Sequence, residues 1–125
     1  MKVLVIDDEG MIRTLAEKIL VRAGHDVFLA DSGQQGLDLF REYSEKIDLL
    51  IIDMTMDGMS GEDTLRACRV IQPCIAAVFS SGQNLQESDI PADLAINTSF
   101  LQKPYRASQL VDMVEQAVAA AVPVE

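Results

Sequence analysis

Short uninterrupted apolar runs alternate along the chain with longer stretches whose apolar residues recur every three or four positions. Val3, Leu4, Val5 and Ile6 form the first run, the pattern of a strand buried on both faces. Ile12, Leu15, Ala16, Ile19, Leu20 and Ala23 then share one helical stripe, and Gly24 stands where a helix end favours glycine. Val27, Phe28 and Leu29 predict a second strand within residues 26–30. Ser32, with Gln35 three residues on, has the spacing of a capping box, and Leu37 and Phe40 supply the inward side of the helix that follows. The most apolar run, Leu49 to Ile52, stops at Asp53. Ser60 and Asp63 begin a third helix that carries Leu65 and Cys68 and ends before Pro73. Residues 75–79 predict a fourth strand leading into Ser80, Ser81 and Gly82, and residues 98–101 a fifth. Over residues 83–97 the apolar spacing is irregular, and Pro91 interrupts any long helix. Ala107, Leu110, Val111, Val114, Ala117, Val118 and Ala121 mark a last helix.

Strands that alternate with helices in this way predict an α/β fold: a parallel sheet covered on both faces by right-handed crossovers. Five strands suit the doubly wound order 2-1-3-4-5, a three-layer architecture in a single domain over residues 1–122 with a short tail at 123–125. That order sets strands one and three side by side. Ligands of such sheets bind beyond the carboxyl ends of the strands at this switch point.

Composition narrows the function. The chain has 125 residues, 49% of them hydrophobic, which supports a packed core. Acids outnumber bases 20 to 10, a formal net charge of -10 that opposes direct binding to nucleic acid or anionic lipid. No apolar stretch approaches the roughly 20 residues of a membrane span, and the first apolar run is too short for a secretory signal. Cys68 and Cys74, the only cysteines, lack a metal-binding spacing and read as reduced, mostly buried thiols of a cytoplasmic protein. His25, the only histidine, lies in a turn context and reads as a surface residue.

The chemistry gathers at the strand ends. Strand one ends in Asp7 and Asp8 and strand three in Asp53, so the predicted topology brings three carboxylates together. Clustered carboxylates repel, and a hard divalent cation such as Mg²⁺, with Mn²⁺ as a substitute, relieves that repulsion through oxygen ligands. Magnesium usually completes its shell with phosphate oxygens, which makes the cleft a candidate for phosphoryl transfer. Asp53, ending the central strand, is the candidate nucleophile, with Asp7 and Asp8 holding metal directly or through water. Ser81 adds a hydroxyl and Lys103 a positive charge at the ends of strands four and five.

In this combination the sequence resembles, over essentially its whole length, the receiver domain of two-component response regulators, of the chemotaxis-regulator type. Residues 3–9 resemble the family's opening strand and acid pair, and residues 49–56 its phosphoacceptor strand. Residues 58–61 resemble the loop that follows, residues 78–82 the hydroxyl-bearing strand and residues 100–105 the lysine–proline segment. The resemblance implies the flavodoxin-like receiver fold and a phosphorelay role. Asp53 would accept a phosphoryl group from a sensor histidine kinase or a histidine phosphotransfer protein. Asp8 would be a main metal ligand, Asp7 would act through water, and the backbone carbonyl of Thr55 would complete the protein ligands. Lys103 and Ser81 would contact the phosphoryl group, and Phe100 would be the aromatic switch. It further implies a signalling domain and no stand-alone enzyme, either free or as the receiver of a hybrid kinase, and a monomer or a weak dimer formed on phosphorylation.

Some positions depart from the family pattern. Asp57 stands where proline is common, which predicts a looser loop and one more negative charge near the metal. Thr55 and Gln83 occupy positions that tune phosphate lifetime in the family. Two other readings stand beside the main one: a receiver-like interaction module that is never phosphorylated, and a magnesium-dependent phosphatase with an aspartate nucleophile. The second usually needs another acid two residues past the nucleophile, where this chain has Thr55.

Overall fold

In chain order the elements are β1 (Lys2–Ile6), α1 (Gly10–Arg22), β2 (Asp26–Ala30), α2 (Gly33–Tyr43), β3 (Leu49–Asp53), α3 (Gly61–Ile71), β4 (Ala76–Ser81), β5 (Thr98–Gln102) and α4 (Ala107–Ala120). The computed structural model describes residues 1–82 and 85–123. The strands form one parallel sheet in the order β2-β1-β3-β4-β5. The fold is therefore the expected doubly wound one.

Alternation along the strands sorts the core into two. Val3 and Val5 of β1, Leu49 and Ile51 of β3, and Ala76 and Val78 of β4 pack with Ala16 and Leu20 of α1 and Leu110 and Val114 of α4. Leu4 and Ile6, Leu50 and Ile52, and Ala77 and Phe79 face the other way, against Leu37 and Phe40 of α2 and Leu65 and Cys68 of α3. The central strand β3 is buried along its whole length. That explains why its sequence shows a continuous apolar run and no alternation.

Local signals place the helices. The Ser32 Oγ accepts a hydrogen bond from the Gln35 amide at 3.1 Å, while the Gln35 side chain accepts from the amide of Asp31 at 2.6 Å. The Ser60 Oγ accepts from the Asp63 amide at 3.0 Å. Past α1, Gly24 takes φ +94°, a left-handed conformation that suits glycine at a helix end. Gly61 meets a tighter requirement. A Cβ there would lie 2.4 Å from the carbonyl oxygen of Asp53 and 2.8 Å from the Cα of Met54. The first turn of α3 thus rests directly on the backbone that carries Asp53.

β4 continues through Ser81, so both serines lie in the sheet and not in a turn. Residues 85–97 form no helix; they fold as two short 3₁₀ turns, Glu87–Asp89 and Ala92–Leu94, the second starting after Pro91. His25 is half-buried and not a surface residue: its Nδ1 lies 3.2 Å from the Met1 amine and its Nε2 is enclosed. Cys68 is buried and Cys74 half-buried, and neither is in a disulfide. Gln83 and the last two tail residues lie outside the described residues. No helix among the described residues is long and apolar enough to cross a membrane.

At the sheet end where the strands begin, the Asn97 side chain binds the backbone of Val122 twice. Its Nδ2 donates to the Val122 carbonyl at 2.8 Å, and its Oδ1 accepts from the Val122 amide at 2.8 Å. Gly61→Ala is expected to destabilise the protein by about 1–3 kcal/mol, because the added methyl meets backbone that cannot yield without moving Asp53. Urea unfolding of the variant against the wild type measures it, and Gly82→Ala, whose Cβ meets nothing within 4 Å, serves as the neutral control.

Candidate functional site

Four carboxylates meet beyond the carboxyl ends of β1 and β3. Asp7, Asp8, Glu9 and Asp53 each offer an oxygen within 4.8 Å of the others. Pairing of Ile6 with Ile52 across the two central strands sets the following residues, Asp7 and Asp53, side by side. Asp7 and Asp53 are buried, at 2% and 4% exposure, whereas Asp8 and Glu9 open to solvent.

Asp7 is the most constrained of the four. Its Oδ1 accepts from the Glu9 amide at 2.9 Å, and its Oδ2 accepts from Lys103 Nζ at 2.7 Å. Its backbone is held as well: the amide donates to Ala30 O at 3.1 Å, and Arg13 Nη1 donates to its carbonyl at 2.7 Å. Asp53 Oδ1 accepts from the Thr55 amide at 3.1 Å, and its Oδ2 lies 3.5 Å from Lys103 Nζ. Glu9 Oε1 lies 3.7 Å from the same ammonium. The Asp8 carboxylate has no protein partner among the described residues.

Lys103 arrives from the loop after β5, where the Lys103–Pro104 peptide is cis. Its amide donates to Ser81 O at 2.8 Å, so the end of β4 and the lysine loop are tied together. Burial disfavours its ammonium, but the hydrogen bond and charge of Asp7, then Asp53 and Glu9, outweigh it and hold the pKa above the usual lysine value. Asp53 moves the opposite way to most carboxylates. Burial chiefly, with Asp7 and Asp8 adding repulsion, pushes its pKa up to about 6 against the opposing Thr55 amide and Lys103. Burial also raises the Tyr105 phenol, and the Asp7 charge adds to it.

The sequence-predicted residues fall as follows. Asp7, Asp8, Asp53 and Lys103 share one cleft. Thr55 is exposed and follows Asp53 closely enough to donate its amide to it. Ser80, not Ser81, sits opposite Asp53 in the strand register. Ser81 is fully buried and, by alternation after Phe79, turns to the α3 side of the sheet, the side that also holds Phe100. Phe100 is half-buried and paired with Phe79 across β4 and β5. Asp57 is exposed and stands outside the carboxylate cluster, so it does not add the close negative charge expected of it. Two neighbours escaped sequence reading. Glu9 was legible as the third consecutive acid, whereas the hydrogen bond from Arg13 to the Asp7 carbonyl left no signal in the pattern.

Comparison with known proteins agrees with this geometry. Residues 3–115 match the family model of the response regulator receiver domain. The chemotaxis protein CheY of Thermotoga maritima is 30% identical over 112 residues, covering 89% of this chain and 92% of that protein. The sporulation initiation phosphotransferase F of Bacillus subtilis is also 30% identical, covering 92% of this chain and 91% of its own. The sensor kinase CckA of Brucella abortus is 31% identical over 91% of this chain, yet the chain spans only 12% of that protein's length. Among solved structures, a response regulator receiver domain protein from Clostridium thermocellum superposes with TM-score 0.85 at 34% identity, covering 94% of each chain.

The raised Asp53 pKa gives a signed expectation for the metal-free protein. The folded state holds this proton more tightly than the unfolded state, so the group's favourable contribution is present at low pH and lost as pH rises through about 6. Metal-free Asp53→Asn is therefore expected to be more stable than wild type at pH 8 by about 1–3 kcal/mol, with the gap closing toward pH 5. Denaturant unfolding in chelator across that pH range measures it.

Proposed function

The chain belongs to the response regulator receiver domain family of two-component systems, and on that premise we propose that Asp53 accepts a phosphoryl group from the phosphohistidine of a histidine kinase or histidine phosphotransfer protein. The observation that carries this reading is the setting of Asp53. It ends the central strand, is buried with three other carboxylates beside it, and has a lysine ammonium 3.5 Å away. An Asp53 oxygen attacks phosphorus in line, an O–P bond forms, and the P–N bond of the phosphohistidine breaks. The imidazole leaves with the bonding pair and takes up a proton. Water later attacks the acyl phosphate and returns the carboxylate and inorganic phosphate.

Each residue's part follows from its environment. The all-oxygen donor set fits Mg²⁺, with Mn²⁺ as a substitute, and a bound ion would supply positive charge against the phosphoryl oxygens. Asp8, whose carboxylate is open, would hold the ion directly together with Asp53 and the Thr55 carbonyl. Asp7 has both oxygens engaged by Glu9 and Lys103 and would act through water. Lys103 pairs with a phosphoryl oxygen and keeps its charge while doing so. Ser81 donates its hydroxyl to the phosphoryl group, and its movement opens space on the side of the sheet where Phe100 packs, a shift between two populated states of one fold.

An open groove of about 670 Å³ between α1 and α4 is lined by Leu15, Ile19, Val111 and Tyr105, with Lys18, Arg22 and Asp112 as its charged residues. That largely apolar surface, with two cations against one acid, suits a helix of the phosphodonor. Neither cysteine is in a disulfide, which fits a cytoplasmic location, and the receiver acts as a signalling domain and not as an enzyme in its own right.

Incubation with Mg²⁺ and a small acyl phosphodonor, followed by intact mass measurement, is expected to show the gain of one phosphoryl group. The gain is expected to vanish in Asp53→Asn, and the rate to fall roughly 10²-fold in Lys103→Ala, which removes a charge aimed at the transferring group. Absence of any adduct, together with no beryllofluoride binding, would establish a silent interaction module instead. Steady phosphate release from many organic phosphates would establish a phosphatase.

A further inference from the structure

Between β4 and β5 the chain lays a strap, residues 85–97, along α3. Two arginines on one side of α3 hold it. Arg66 forks onto Asp93, with Nε to Oδ2 at 2.8 Å and Nη2 to Oδ1 at 3.2 Å. Its remaining Nη1 reaches Asp63 at 3.1 Å. Arg69 donates to the carbonyls of Leu94 at 3.0 Å and Asn97 at 3.2 Å, and to the Thr98 hydroxyl at 2.9 Å. Beneath these contacts Ile90 and Leu94 insert into the core that contains Phe79, with Phe100 packed against it.

The two clamps differ in kind. Arg69 binds backbone carbonyls at the foot of β5 and is half-buried, so its grip is structural. Arg66 is half-buried and Asp93 exposed, their side chains at 41% and 58%, and the pair spans 27 positions from helix to strap. The pair is a two-pronged guanidinium–carboxylate contact, a geometry with a defined closed state, and Arg66 holds the Asp93 carboxyl below the usual carboxylate range. It is the only helix-to-strap ion pair among the described residues. Toward the other end the hydrogen bonds are local: the Asp89 amide donates to Gln86 O at 2.9 Å, and Asp89 Oδ2 accepts from the Gln86 amide at 2.7 Å. Pro91 separates this locally bonded half from the clamped half.

The strap joins the two residues given switch roles above. In the chain it lies between β4, which ends at Ser81, and β5, which begins at Thr98, two residues before Phe100. Ile90 and Leu94 of the strap belong to the core against which Phe100 packs, so a reorientation of Phe100 changes the packing beneath the strap. We infer that Arg66 is a positioning residue of the switch: its fork on Asp93 latches the strap closed in the unphosphorylated state and opposes the phosphorylated one. This rests on the phosphoacceptor reading of Asp53, while neither latch residue lies in the acid cleft. By population shift, a contact made in only one of two states biases their balance by its own strength.

The test is the apparent affinity for beryllofluoride with Mg²⁺, followed through backbone amide signals, in the wild type, Arg66→Gln, Asp93→Asn and the reversed pair Arg66→Asp with Asp93→Arg. At low salt each single variant is expected to bind about two- to fivefold more tightly than wild type, the range of an exposed ion pair. The reversed pair is expected to return toward the wild-type value, and the single-variant gain to shrink at high salt, where the wild-type pair is itself screened. Hydrogen exchange of residues 85–93 is expected to quicken in the single variants and in the beryllofluoride-bound wild type. Wild type that binds beryllofluoride while the variants match it, or bind more weakly, overturns the latch alone. A reversed pair that behaves like the singles also overturns it. Wild type that binds no beryllofluoride overturns the phosphoacceptor reading and the latch with it.

Discussion

The Lys103–Asp7 ion pair is the contact on which the cleft depends. It joins residues 96 positions apart at 2.7 Å and closes the far side of the sheet over the carboxyl ends of its central strands. Four carboxylates within a few ångströms would repel one another and splay the two loops that carry them. One ammonium placed against three of them offsets part of that repulsion. Because the pair is buried, losing either partner would strand a charge away from water, which is far costlier than losing a surface pair. The lysine also explains the asymmetry between neighbouring acids: Asp7 is spent on holding the cleft together, and Asp8 is left open for other oxygen-seeking partners.

The backbone beneath is matched to that task. Parallel strands end in the same direction, so residues that follow β1, β3, β4 and β5 necessarily share one rim. Gly61 lets the first turn of α3 sit against the Asp53 carbonyl, and Ser60 caps that turn. The Thr55 amide then fixes one Asp53 oxygen and leaves the other facing Lys103. In the reading proposed for Asp53, phosphorylation exchanges one buried carboxylate for a more highly charged group in a site already near its limit of negative charge. Relief must come from donors that move, and the proposed ones, Ser81 and Lys103, are linked through the backbone bond from the Lys103 amide to Ser81 O.

What could be read from sequence follows from what periodicity encodes. The apolar runs of β1 and β3 and the stripe of α1 each report a repeating environment, so the strand order and the gathering of Asp7, Asp8 and Asp53 were legible. The strap was not: 3₁₀ turns of three residues have no room for a period, and Pro91 revealed only that a helix was excluded. Contacts between single residues distant in the chain, such as Arg66 with Asp93 or Asn97 with Val122, leave no repeating trace. His25 misled because its half-buried ring meets the Met1 amine, 24 positions away, a contact that the local sequence does not announce. Asp57 misled for the opposite reason, since nearness in sequence to Asp53 did not bring its carboxylate into the cluster.

The strict alternation of the central strands makes the sheet a partition. Leu49 and Ile51 touch only the core shared with α1 and α4, while Leu50 and Ile52 touch only the core shared with α2 and α3. Neighbours such as Ile51 and Ile52, adjacent in the chain, therefore answer to the packing of different helix layers. Substitutions on the two faces act first on different helices, α1 and α4 on one side and α2 and α3 on the other.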